Sequence, residues 1–300
     1  MKRLLCIVSS LDTGGAETFM MKIFRGLPAE YKLDFIVSTD TGFYEKEVLS
    51  LGGKIYRIPL RTEHPIKTFN AIKKIVKDNN YQYVLKLCDT PIGFFDLLAA
   101  KMGGANKICV RSCNANSNEG KLKSLVNKIL RPFFNMITDV KIAPSKLAAE
   151  YTFGHKAVNK NEVVFLHNAV DLDVYHYDSR KREKIREELH IKPEQLVVGH
   201  IGRFNYQKNH EFLLDIFSSI QSKRKDAVLL LVGDGEKKEK IISKIDRLGL
   251  TQNVILTGIR SDIPDLLSSM DVFVFPSFFE GMPNTIIEAQ ATGMPCILSD

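Results

Sequence analysis

At 300 residues, 44% hydrophobic and 26% charged, the chain has a globular composition and enough length to bury two cores, and it is neither disordered nor fibrous. No apolar run reaches the roughly 20 residues needed to cross a bilayer, which leaves only peripheral membrane contact. The net charge of +7 is lopsided: residues 1–175 hold 25 Lys and Arg against 17 Asp and Glu, and residues 176–300 hold 17 against 18.

In chain order, Met1–Ser10 imitates a signal peptide but passes into Asp12-Thr13-Gly14-Gly15 with no small-residue cleavage site. Arg3–Ser10 is therefore read as a buried strand. Gly14 and Gly15 open a helix over Ala16–Leu27, where bare backbone can approach a ligand. β-rich runs follow at Leu33–Ser38, Lys54–Ile58, Tyr83–Cys88, Lys107–Arg111, Asp139–Ala143 and Val163–His167. They alternate with helical patterns, as parallel strands with crossover helices do. In the window 121–134, Lys121, Lys123, Lys128 and Arg131 alternate with Leu122, Leu125, Val126, Ile129, Leu130, Phe133 and Phe134. Two readings stay open there: a helix packed on its domain with solvated cations, or an interfacial helix on anionic lipid. The basic first half suits an anionic membrane or a lipid diphosphate better than nucleic acid, for which no recognition motif is present.

Asp171–Glu194 is polar, with the charged run Arg180–Lys184, and reads as a linker between domains 1–175 and 176–300. Asp171-Leu172-Asp173 lacks the surrounding ligands of a cation site and reads as hinge. Strand patterns resume at Leu196–Gly202, Ala227–Val232, Asn253–Thr257, Asp271–Phe275 and Pro295–Leu298. The expected fold is α/β, two doubly wound Rossmann-like domains with the active site in the cleft between the carboxyl ends of their strands. Cys6, Cys88, Cys109, Cys113 and Cys296 are odd in number and lack a Cys-x-x-Cys pair, as in reduced cytosolic proteins. His64, His155, His176, His190, His200 and His210 have no metal-ligand spacing and are placed in solvent or core.

The chemistry concentrates in the second domain. Gly202, Arg203 and Lys208 follow its first strand, and Asn209 can cap a helix with apolar face Phe212, Leu213, Ile216, Phe217 and Ile220. Two cations there suit a diphosphate leaving group. Gly233-Asp234-Gly235 is either a ligand loop or a plain turn. Glu280 and Glu288, with seven residues between them, bracket a helix start in which Pro283 suits the first turn and Gly293 and Pro295 end the helix. The N–H groups of Asn284, Thr285 and Ile286 would face a phosphate. Glu280 could reach a sugar hydroxyl, and Glu288 a ribose.

Gly14-Gly15-Ala16-Glu17, His167-Asn168-Ala169-Val170-Asp171, Gly202-Arg203 with Lys208-Asn209, Gly233-Asp234-Gly235 and the Glu280–Ser299 run, in this order, resemble glycosyltransferase family 4, retaining enzymes of GT-B fold. The resemblance implies a retaining glycosyltransferase that transfers from a nucleoside diphosphate sugar, a UDP-sugar by preference, to a glycan or lipid-linked acceptor in surface polysaccharide synthesis. Catalysis would fall to Arg203, Lys208 and Glu280. Donor binding would fall to Gly14, Gly15, Gly202, Gly233, Gly281, Met282, Pro283, Asn284, Thr285 and Glu288, with the cations in place of a metal and no cofactor. Relatives often carry a His after the strand matching Lys107–Arg111; here Arg111 and Cys113 stand instead, and Arg111 becomes an acceptor-side candidate. Relatives also continue with further βα units, so the second domain reads as truncated. A cytoplasmic enzyme on the inner face of the plasma membrane is expected. A sugar-nucleotide epimerase of the same architecture and a non-catalytic sugar-nucleotide binder stay open as alternatives.

Overall fold

The computed structural model describes residues 2–88, 90–113, 115 and 120–299, and the Lys121 side chain is outside that set. The chain forms two compact units, Met1–Asn168 with Glu280–Met282, and Ala169–Phe279 with Pro283–Asp300. The first runs β1 (Lys2–Ile7), α1 (Gly15–Gly26), β2 (Tyr31–Val37), α2 (Glu45–Ser50), β3 (Ile55–Arg57), α3 (Pro65–Asp78), β4 (Tyr83–Cys88), α4 (Phe94–Met102), β5 (Lys107–Ser112), α5 (Lys121–Ile137), β6 (Val140–Ala143), α6 (Lys146–Phe153), α7 (His155–Asn159) and β7 (Val163–Phe165). Its strands are parallel in the order β3-β2-β1-β4-β5-β6-β7. Leu5 and Ile7 of β1 enter one apolar cluster with Ile36, whereas Cys6 enters another with Phe35 and Val37. That alternation is the two-residue period of a strand buried on both faces.

The second unit runs α8 (Ser179–Glu188), β8 (Val197–Ile201), α9 (His210–Lys223), β9 (Val228–Val232), α10 (Lys238–Arg247), β10 (Val254–Gly258), α11 (Ile263–Ser269), β11 (Val272–Phe275), α12 (Asn284–Ala291) and β12 (Cys296–Leu298). Its parallel order is β10-β9-β8-β11-β12. Val197, Leu230 and Phe273 pack on one face, and Val198, Leu229 and Val274 on the other. Both sheets are doubly wound. Strand order reverses between β1 and β4 and between β8 and β11, the places where loops part and a ligand can sit. All twelve expected strands form, with ends shifted by up to three residues.

Four local expectations need correction. The stretch expected as a linker contains α8, and its charges are not merely solvated: Arg186 is buried and donates to the carbonyls of Ser269, Pro193 and Gln195 and to Asp271. Asp271 also accepts from Arg182 at 2.6 Å and from the Val197 N–H at 2.7 Å. Burial pushes the Asp271 carboxyl up, but these donors prevail and hold it below its ordinary range. Asn209 precedes α9 in the left-handed region, φ 53 and ψ 45, and its side chain makes no capping bond. An asparagine tolerates that conformation in a tight turn. On α9, Phe212 is exposed and Leu214 takes a core position instead. Pro283 stands just before α12 with extended ψ 123, as its cap rather than within its first turn.

Candidate functional site

At the reversal of the second sheet, the loop after β8 is built on close backbone approach. Gly233 has φ 137, and a Cβ there would collide with the Gly202 carbonyl oxygen. The two glycines therefore let the loops after β8 and β9 touch, with Gly202 N donating to Val232 O at 3.0 Å and Phe204 N to Asp234 O at 2.9 Å. A Cβ on Gly202 would lie 3.3 Å from Lys208 Cγ. The glycine thus gives the lysine stem its path. Lys208 Nζ lies 4.4 Å from the centre of the Phe275 ring at the end of β11, a cation–π contact that helps fix its position.

Arg203 is 65% exposed at its side chain, and its Nε is 3.6 Å from an equally solvated Glu236 carboxylate. An exposed pair of that length holds weakly and leaves the guanidinium able to turn to an anion. The turn itself is braced. Asn205 Oδ1 accepts from Lys208 N at 3.1 Å, Phe278 N donates to Gln207 O at 2.9 Å, and Gln207 Nε2 donates to Phe279 O at 2.8 Å. Tyr206 stacks on Phe278 with ring centres 4.8 Å apart. The loop that presents Lys208 and the loop that leads to Glu280 thus support one another.

In α12, Asn284 and Glu288 are buried and Thr285 is half-buried. Asn284 and Glu288 are four residues apart and so share a helix face. The first N–H groups of this helix have no intrahelical acceptor and carry the positive end of its dipole. Beneath Lys208 lie two histidines that sequence reasoning left unassigned between solvent and core. Both are core residues: His200 lies nearly parallel to the Phe273 and Phe275 rings, which also stack on each other, with Nδ1 2.9 Å from the Val274 carbonyl, and His210 meets it edge-on at 4.7 Å. His200 Nε2 and both His210 ring nitrogens are buried without a hydrogen-bond partner.

In the first unit, Gly14 caps α1 and accepts from Thr18 N at 2.8 Å, while the Glu17 carboxylate covers the place a Cβ of Gly14 would take. Arg111, expected on the acceptor side, is only 3% exposed. It stacks on Phe19, 3.6 Å from guanidinium carbon to ring centre, and donates to Asn168 Oδ1 at 2.6 Å. Burial lowers its pKa, opposed by Cys113. The half-buried Glu280 belongs to this unit, and the carbonyls that follow it are both engaged: Gly281 O accepts from Ser145 Oγ at 2.8 Å and Met282 O from Asn168 Nδ2 at 2.6 Å. Sequence reasoning missed the buried cluster Lys86–Asp96–Arg61, where Asp96 Oδ2 is 2.8 Å from Lys86 and 3.0 Å from Arg61. Burial raises the Asp96 carboxyl, but the two cations outweigh it and hold it ionised.

On α5 Leu122, Leu125, Ile129, Phe133 and Met136 are exposed and Val126 and Leu130 half-buried, while Asn127 and Phe134 are buried. Arg131 turns inward and donates to Tyr151 O at 3.0 Å, which removes it from the solvated cations, while Lys123 and Lys128 stay outside. Lys121 at the helix start and Asn114 are, in side chain and in full respectively, outside the described residues. Among the described residues no helix is long and apolar enough to cross a membrane, and no three His, Cys, Asp or Glu side chains cluster as metal ligands. Asp171 Oδ1 accepts from Asp173 N at 2.9 Å, a local turn.

Comparison with known proteins agrees with this architecture. Residues 13–174 match the model of Glycosyltransferase Family 4, and residues 181–300 that of Glycosyl transferases group 1. EpsF of Bacillus subtilis (strain 168) is 29% identical over 308 residues, covering 100% of this chain and 79% of that protein. The UDP-Gal:alpha-D-GlcNAc-diphosphoundecaprenol alpha-1,3-galactosyltransferase of Escherichia coli is 29% identical over 240 residues, 78% of this chain and 62% of that one. Among solved structures, Anabaena HepE in complex with UDP-glucose superposes with a TM-score of 0.81 at 20% identity, over 99% of this chain and 80% of that one. The fold is that of the GT-B glycosyltransferases.

Proposed function

The chain belongs to glycosyltransferase family 4, and from that membership we propose that this enzyme moves a sugar, with retention, from a UDP-sugar to a lipid-linked or glycan acceptor in surface polysaccharide assembly. One observation carries the reading. The loops at the strand reversal of the second unit hold Lys208 over the end of β11, between Gly202 and the Phe275 ring. Arg203 follows Gly202 directly, and α12 begins after the loop that β11 feeds. Breaking the bond between sugar and diphosphate leaves charge on the departing phosphate. A fixed cation, a mobile guanidinium and a helix N-terminus stabilise that charge.

In this reading Lys208 and Arg203 hold the diphosphate without a metal, Glu280 grips a hydroxyl of the donor sugar, and Glu288 takes the ribose. The N–H groups of Asn284 and Thr285, with the backbone of Gly202, Gly233, Gly281, Met282 and Pro283, line the donor site. Gly14 and Gly15 are the donor-binding candidates of the first unit. The acceptor oxygen bonds to the anomeric carbon on the face from which the diphosphate leaves, and its proton passes to the departing diphosphate oxygen. The enzyme's share is positioning and charge stabilisation. The E. coli relative's name gives UDP-Gal as donor and a diphosphoundecaprenol lipid as acceptor, which supports both substrate classes. The outward apolar stripe of α5, flanked by Lys123 and Lys128, supports docking on the inner, anionic face of the plasma membrane.

The test is a transfer assay with UDP-sugars and a membrane extract, in excess EDTA. Release of UDP that requires acceptor and survives the chelator is the expected result. Interconversion of the sugar nucleotide without acceptor would make the protein an epimerase, and loss of transfer restored by Mn²⁺ would remove the metal-free mechanism.

A further inference from the structure

Arg111 is buried where, among the described residues, no carboxylate answers its charge; its neighbours are the Phe19 ring, Cys113 and Asn168. A guanidinium has donors only, so it dictates which end of the Asn168 amide faces it. The amide oxygen takes the Arg111 Nη2 donor at 2.6 Å, and Nδ2 is left to donate to Met282 O at 2.6 Å. Without Arg111 the Oδ1 end of the amide loses its donor, and the Met282 carbonyl alone is left to hold the side chain in place. Ser145 Oγ fixes the preceding carbonyl, Gly281 O, at 2.8 Å. Two successive peptide oxygens after Glu280 are therefore tied to first-unit side chains, and a buried cation orients one of the ties.

We infer that Arg111 is a positioning residue for sugar transfer: through Asn168 it fixes the backbone at Gly281 and Met282, and so the direction in which Glu280 leaves the chain. The inference rests on the role proposed for Glu280. Phe19 completes the arrangement, since the ring face holds the guanidinium plane. Arg111 then touches neither donor nor acceptor, and its buried charge serves as a fixed donor.

Asn168→Asp keeps size and the Arg111 bond but replaces the donor facing Met282 O with a carboxylate oxygen. It should lower kcat for transfer roughly 10- to 100-fold, with UDP affinity, read by calorimetry, unchanged. Arg111→Met should do the same, and Arg111→Lys, which retains a donor, should recover part of the loss. The effects should be coupled: Arg111→Met in an Asn168→Ala background should cost little more than Asn168→Ala alone. Additive losses in that cycle, or wild-type kcat in Asn168→Asp, would overturn the relay. So would a raised acceptor KM at unchanged kcat in Arg111→Lys, which would make Arg111 an acceptor ligand. Glu280→Gln assayed in parallel separates the two ideas: if it transfers like wild type, the role of Glu280 fails, whereas an impaired Glu280→Gln beside unaffected Asn168→Asp and Arg111→Met removes only the relay.

Discussion

Mild acid should destabilise the second unit well above the pH at which ordinary carboxylates titrate. Burial, opposed by the Val274 carbonyl and helped by Lys208, pushes His200 down from 6.5 to about 4, and burial with its neighbour pushes His210 to about 2. Both rings are neutral in the folded protein and take up protons near 6.5 once unfolded. Above that value the two states bind equal numbers of protons and stability is at its plateau. As pH falls below it the unfolded chain gains protons that the folded chain refuses, so stability drops, and His200 alone continues to contribute until about 4. At about 1.4 kcal/mol per pKa unit, its shift amounts to a loss of about 3 kcal/mol across that window, and His210 acts in the same direction. A domain is stable by only about 5–15 kcal/mol, so the effect is large. Urea unfolding followed from about pH 7.5 to 5 should show the midpoint falling steadily below about pH 6.5. His200→Gln, which cannot titrate, should flatten that slope even if it lowers stability throughout. An unchanged midpoint between about pH 7 and 5, or a slope undiminished in His200→Gln, would refute the argument.

Other outcomes follow from the donor site and from α5. Lys208→Ala should lose roughly 10- to 100-fold in kcat/KM, since a charge-assisted hydrogen bond is worth about 1.5–3 kcal/mol; wild-type kinetics in a folded variant would mean that the phosphate binds elsewhere. Glu280→Gln should reduce transfer far more than UDP affinity, because UDP lacks the sugar, and Glu288→Gln should weaken UDP itself; equal losses of UDP affinity in the two would refute the assignment. Serine in place of Leu125, Ile129 and Phe133 should abolish binding to anionic vesicles, and glutamine in place of Lys123 and Lys128 should weaken it and its salt dependence. Unaltered vesicle binding in both would leave α5 a solvated surface.

The strands were legible because sheets covered on both faces demand unbroken apolar runs, and Val228–Val232 or Val272–Phe275 admit little else. Less legible was whatever depends on partners distant in sequence. Arg186 reads as one more solvated charge until Asp271, 85 positions away, comes to rest against it. The periodicity of α5 marks its apolar side correctly but says nothing of whether that side meets a core or the outside. Within the site, the glycines and cations stand at fixed distances from strand ends, so their motif survives in one dimension. Asn168 stands in the sequence only as one position of the His167–Asp171 motif; its two-ended role depends on Arg111, 57 positions earlier, and on Met282, 114 later.

The allegiance of Glu280–Met282 to the first unit has a bearing on protein engineering. Hybrid enzymes that pair the first half of one relative with the second half of another are ordinarily spliced once, between the two. Here such a splice would separate Gly281 and Met282 from the Ser145 and Asn168 side chains with which they are matched. A functional hybrid should therefore carry this three-residue island from the parent that supplies Ser145 and Asn168, as a graft inside the other parent's sequence. The crossover itself belongs ahead of Asp178, so that α8 and its arginines travel with Asp271.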